Sequence, residues 1–190
     1  MQGLSQRERL TVAAARRFHK IGLRDSTIAD VAHEAGIPTG NVYYHFRSKD
    51  ALALAVLDYW HARTSAARSE IEAGHRGGAA RIAAFLAQAR RNAVTYVDLG
   101  CPLAALVRDF QGVRSETESL AGDLLKRQIQ WLSAQFRDSG LAKREASREA
   151  VAMLVRIQGG IGLAYALKSK KPLLAAISDA EDRLADLTGA

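Results

Sequence analysis

The chain has 190 residues, of which 48% are hydrophobic and 25% charged, ordinary globular values that exclude a disordered chain and a membrane-embedded one. Its formal net charge of +7 favours partners carrying phosphates or other anions, and residues 1–50, with eight Lys/Arg against five Asp/Glu, hold the denser positive charge. Cys101 is the only cysteine, which excludes an intrachain disulfide and a cysteine-based metal cluster.

Alanine, leucine and arginine dominate while β-branched and aromatic runs are missing, so an all-α chain is expected. Ser5 with Glu8 forms a capping box, after which Leu10, Ala14, Phe18 and Ile21 recur at helical spacing until Gly22. A second cap, Thr27 with Asp30, precedes a short helix carrying Ile28, Val31, Ala32 and Ala35 and ending at Gly36. Gly36-Ile37-Pro38 makes a turn into a third short helix, Thr39 to Phe46, with Val42 and Phe46 on its apolar side. Ser48 caps a long fourth helix with Leu52, Val56, Tyr59 and Trp60 as its stripe, running past Arg68.

Gly74, Gly77 and Gly78 interrupt the pattern, and a fifth helix carries Ile82, Phe85, Leu86, Ala89 and Val94 as far as Gly100. Cys101-Pro102 opens a shorter helix. Beyond Gly112, a capping box of Ser115 and Glu118 starts a helix whose apolar surface, Leu120 to Phe136, is wider than one stripe. After the turn Asp138-Ser139-Gly140, Ala150, Leu154, Ile157, Ile161 and Tyr165 mark another helix to about Lys168. Pro172 suits the first position of the last helix, where Leu173, Ile177, Ala180, Leu184 and Leu187 alternate spacings of four and three, a seam of the coiled-coil kind.

Two short helices joined by a tight turn are what a helix-turn-helix needs to read a major groove: one braces and the other enters. Thr39, Gly40 and Asn41 begin the entering helix, where side chains reach base edges. Tyr43, Tyr44, His45 and Lys49 offer hydroxyl, imidazole and ammonium donors to phosphate oxygens.

The runs Thr27-Ile-Ala-Asp-Val-Ala, Ala35-Gly-Ile and Thr39-Gly-Asn-Val-Tyr-Tyr-His-Phe-Arg-Ser-Lys49 resemble the TetR family of bacterial regulators, over roughly Arg7 to Leu57. The resemblance implies phosphate contacts from Thr27, Tyr43, Tyr44, His45 and Lys49 and base contacts from Thr39, Gly40 and Asn41. It implies an N-terminal three-helix helix-turn-helix DNA-binding domain, residues 1–50, followed by a larger helical-bundle domain, residues 51–190, for effector binding and dimerisation. Gly100-Cys-Pro-Leu is similar to an element found in some branches of the family at the start of a helix bordering the ligand pocket.

Phe85, Tyr96, Phe110, Trp131 and Met153 are candidates to line an apolar effector pocket, and each is equally explained as core. Gln158, set between Ile157 and the Gly159-Gly160 pair, needs a hydrogen-bond partner if buried, from the protein or from a ligand. Cys101 reads first as a small buried hydrophobe and second as a reactive sensor. His19, His61 and His75 lack companions at metal-ligand spacing, and no enzyme motif or cofactor-binding loop is present.

The expected function is a DNA-binding transcriptional regulator: a homodimer joined through the last two long helices, releasing a pseudo-palindromic operator when a small apolar molecule binds. The competing reading is an effector-independent architectural DNA-binding protein. Met1 to Leu10 is polar and no stretch reaches the roughly 18 apolar residues of a membrane span, so a cytoplasmic protein is expected.

Overall fold

The computed structural model describes residues 3–111 and 115–189, with backbone alone at 115–119. All regular structure among the described residues is helical: α1 (Gln6–Ile21), α2 (Ile28–Ala35), α3 (Thr39–His45), α4 (Lys49–Gly74), α5 (Gly78–Arg91), α6 (Ala93–Leu99), α7 (Pro102–Phe110), α8 (Ser115–Asp138), α9 (Lys143–Ala166) and α10 (Lys171–Thr188). They group into two units, Met1–Ser65 with Pro102–Gly122, and Ala66–Cys101 with Asp123–Ala190. The expected break at Gly112 and the Ser115–Glu118 cap lie outside the described residues and side chains.

In the first unit both expected capping boxes form. Ser5 Oγ accepts the Glu8 N–H while the Glu8 carboxylate accepts the Ser5 N–H, and Thr27 and Asp30 repeat the exchange at 3.1 Å each way. Each box satisfies backbone donors that the first helical turn leaves free. Gly36 ends α2 at φ 64°, a left-handed conformation that glycine adopts without steric cost. Leu10, Ala14 and Phe18 of α1, Val31 and Ala32 of α2, Val42 of α3 and Phe46 just beyond it are buried. The α7 helix packs on α1, burying Leu103, Leu106 and Phe110, and its Asp109 accepts the Leu23 N–H at 2.7 Å.

The second unit is built around Ile82, Leu86, Leu132, Phe136, Met153, Ile157, Leu173 and Ile177, with α10 packed against α9 and α5 and with α6 on α9. At the closest point of α9 and α10, a Cβ on Gly160 would stand 2.8 Å from Ala176 Cβ, so the glycine sets the approach. The Glu149 carboxylate, 7% exposed, accepts two hydrogen bonds from Arg183 at 2.7 and 3.3 Å.

Several expectations are corrected in this unit. The single fifth helix is two: the chain turns at Asn92, a poor helix former, and separates α5 from α6. Val94 is exposed, because the buried stripe runs Ile82, Leu86, Ala89, Ala93, and the next residue lies about 100° away from it. Pro172 is the second residue of α10, where its missing N–H is still one the first turn does not use. The seam Leu173, Ile177, Ala180 and Leu184 is buried inside its own unit, so it makes the α10 packing surface rather than an outer face. Tyr165 instead is exposed, with the Lys168 ammonium 4.1 Å from its ring centroid.

Candidate functional site

On α3 the apolar and polar residues separate cleanly. Val42 and Phe46 are 0% and 2% exposed, whereas Tyr44 is 88% exposed and Thr39, Gly40, Asn41 and Tyr43 are exposed with it. The helix begins at Pro38 with no side-chain cap, and nothing lies within 4 Å of the position a Gly40 Cβ would take. The start of α3 is therefore an open backbone surface flanked by hydroxyl and amide groups.

The remaining expected residues have intramolecular partners. His45 Nε2 lies 3.3 Å from Gln6 Oε1, with its ring edge-on to Tyr44. Thr27 is exposed, and its hydroxyl oxygen accepts the cap bond while its proton remains free to donate. Lys49 is half-buried and donates to the Arg24 carbonyl at 3.0 Å. Arg47, exposed two residues before Lys49, was overlooked in the sequence; the basic run Arg47-Ser48-Lys49 is the signal for it. Arg17, by contrast, pairs with Asp30 at 2.8 Å and lies 3.9 Å from Glu34, so its charge serves α2.

In the second unit, Phe85, Tyr96, Cys101, Trp131 and Met153 belong to or pack on one core cluster. The Phe85 and Trp131 ring centroids are 6.1 Å apart, and Gln158 Nε2 donates to Cys101 Sγ at 3.4 Å, a weak acceptor for a half-buried amide. Burial, with Cys101 beside it, pushes the Tyr96 phenol up to about 12 despite a hydrogen bond from Asn92, so it is a neutral donor at physiological pH. Phe110 lies on α7 in the first unit and is buried there.

Three polar residues here were missed by sequence reasoning. The Trp131 indole N–H donates to Glu72 Oε1 at 2.7 Å, Gln128 Oε1 is buried with no partner, and the charged form of Arg68 is disfavoured by burial and then by Arg127. Only the four-residue spacing of Arg68 and Glu72 hinted at a shared face. Among the described residues there is no group of three or more His, Cys, Asp or Glu able to hold a metal ion, and no helix long and apolar enough to cross a membrane.

Residues 10–56 match the family described as bacterial regulatory proteins of the tetR family, and residues 78–179 match the C-terminal domain of LmrA/YxaF-like transcriptional regulators. The HTH-type transcriptional regulator LmrA of Bacillus subtilis is 24% identical over 170 residues, 88% of this chain and 90% of that protein. The HTH-type transcriptional regulator TtgR of Pseudomonas putida is 38% identical over 72 residues, 35% of this chain, and the match spans about a third (34%) of that protein's length. A TetR transcriptional regulator from Legionella pneumophila has the same fold, with a TM-score of 0.87 at 21% identity over 96% of this chain and 99% of that one. These relatives are regulators of transcription and not enzymes. With more than half of its length in the second of these matches and the helix-turn-helix in the first, the chain belongs to the TetR family of HTH-type transcriptional regulators.

Proposed function

We propose that the chain is a homodimeric repressor that binds a pseudo-palindromic operator and is released when a small, largely apolar molecule occupies its second unit. In this reading residues 1–50 are the DNA-binding domain and residues 51–190 the effector-binding and dimerisation domain. The observation that carries it is the division of α3 into a buried side, Val42 with Phe46, and an open side, Thr39, Gly40, Asn41, Tyr43 and Tyr44. Such a helix is held rigidly from behind while its first turn meets base edges. Thr27, Tyr43, Tyr44, His45 and Lys49 then set its register on phosphates, which adds affinity but no sequence information.

Effector release is a population shift, in which the ligand binds the DNA-incompetent arrangement more tightly than the competent one, typically with a coupling of about 1–3 kcal/mol. Phe85, Tyr96, Cys101, Trp131, Met153 and Gln158 are the residues assigned to the effector. The reading favours a dimer through α9 and α10, since α9 leaves Val151, Val155 and Leu163 exposed. Binding-site selection followed by affinity measurement tests the function: a two-fold symmetric consensus bound more than about 10³-fold tighter than random DNA is expected. Sequence-indifferent binding would instead mark an architectural protein.

A further inference from the structure

We propose that the effector site of the second unit takes an amphipathic monoanion, a carboxylate on an apolar body, with Arg68 receiving the charge and Gln128 accepting a hydrogen bond from the ligand. This rests on the reading of the chain as ligand-responsive and names the chemistry of that ligand.

The residues lie on two helices. On α4, Arg68 and Glu72 are four residues apart and share a face; on α8, Arg127 and Gln128 precede Trp131 by four and three. The 2.7 Å bond from Trp131 to Glu72 joins the two faces and commits the one carboxylate among them to a neutral donor. Arg68 is half-buried and makes no hydrogen bond or ion pair with any described residue. Burial weighs most against its ionised form, the like charge of the exposed Arg127 adds to that, and the exposed Glu72 carboxylate offsets part of both. Two guanidinium groups against one carboxylate leave a surplus of one positive charge. A ligand carrying one negative charge balances it, and a carboxylate matches the guanidinium fork with two parallel hydrogen bonds. A neutral or cationic ligand would leave Arg68 with only the exposed Glu72 to offset its charge and with Arg127 opposing it.

Gln128 supplies the second requirement. Leu124 and Leu132, four residues to either side, are 5% and 0% exposed, so Gln128 stands on the inward stripe of α8. Its Oε1 is buried without a donor, a deficit that a ligand hydroxyl or amide N–H removes. The Phe85 ring beside Trp131 and the buried Met153 provide apolar surface in the same unit.

The chain has two tryptophans, so a Trp60→Phe background leaves Trp131 as the reporter. Para-hydroxycinnamate and β-hydroxydecanoate, each with its primary amide and its deoxy analogue, are titrated into this protein by fluorescence. At least one acid should quench Trp131 and bind about tenfold or more tighter than its amide. Arg68→Ala, checked for folding by its melting curve, should erase that preference; Arg68→Lys, which keeps the charge and loses the fork, should retain part of it. Gln128→Leu should weaken the hydroxy acid and leave the deoxy acid unchanged. The proposal is overturned if neither acid binds, if the amides bind as well, or if both Arg68 variants keep the preference. Affinity for the two-fold consensus obtained by binding-site selection, measured alongside, separates the two readings. Binding without loss of DNA affinity keeps the anion site and ends the inducer role. Release by a ligand indifferent to Arg68 does the reverse.

Discussion

The Lys49 ammonium donates a 3.0 Å hydrogen bond to the Arg24 carbonyl and so ties the start of α4 to the loop that joins α1 and α2. The same loop is held at the neighbouring residue, where the Leu23 N–H donates to Asp109 of α7. Lysine has three donors, so the bond to Arg24 leaves two for a phosphate oxygen. Lys49→Ala is therefore expected to weaken operator and random DNA alike, and to reduce the salt slope of binding by about 1 for each phosphate that Lys49 neutralises. An unchanged salt slope with a lower melting temperature would assign Lys49 to bracing alone.

Asp109 makes the second prediction. Its side chain is 11% exposed, and Asp109→Ala strands the Leu23 N–H, which should cost about 1–3 kcal/mol. In a chain of this length that corresponds to roughly 2–4 °C in Tm for each kcal/mol. Asp109→Asn keeps an acceptor and should recover much of the stability. An alanine variant that melts like the parent protein would show that the bond contributes nothing.

The elements legible in the sequence are those that local chemistry decides. Ser5, Thr27 and Gly36 fulfil their caps because capping depends on residues within four positions of one another. The inward side of α3 was legible for the same reason, since Val42 and Phe46 lie one turn apart. What the sequence leaves open depends on distant neighbours. The Leu173 to Leu184 stripe reads identically whether its partner is α9 of the same chain or a second chain. Phe110 and Phe85 look alike as isolated apolar residues, yet they fall in different units. The Arg68 and Gln128 surroundings bring together residues some sixty positions apart, and no local pattern encodes that.

Glu149 and Arg183 carry the pH prediction. The hydrogen bonds from Arg183, more than any other influence, hold the Glu149 carboxyl below its ordinary value of 4.5. A folded-state value below the unfolded one means that the pair stabilises above the unfolded value and that the contribution is lost as pH falls through the folded one. Glu149→Gln should cost about 1–3 kcal/mol at neutral pH, toward the lower end because Arg183 is 39% exposed. The gap in Tm between parent and variant should hold steady from neutral pH down to mildly acidic pH and narrow below the ordinary carboxylate range. A gap independent of pH into strong acid would remove the ion pair as its cause.

The glycines of α9 separate packing within the chain from packing between chains. A Cβ on Gly160 would meet Ala176 Cβ at 2.8 Å and Leu173 Cα at 3.1 Å, so Gly160→Ala should overpack the α9–α10 contact at a cost of about 1–3 kcal/mol. Gly159 and Gly162 have nothing within 4 Å of their Cβ positions, and in a lone chain alanine there should stabilise the helix by about 0.8–1 kcal/mol each. Gly159 continues the spacing of Val151 and Val155, which are 44% and 66% exposed, making a stripe of small and apolar residues open to solvent. If a partner's α9 packs on that stripe, Gly159→Ala weakens the dimer instead, and Val155→Asp places an unpaired charge in the interface and yields a folded monomer. Ile177→Asp, at a site 0% exposed, should unfold the chain rather than dissociate it. Sedimentation with melting curves at several concentrations distinguishes these outcomes, since the stability of a dimer depends on protomer concentration. A Val155→Asp protein that remains dimeric, or Gly159→Ala and Gly162→Ala variants that are only stabilised, would move the interface off this face of α9.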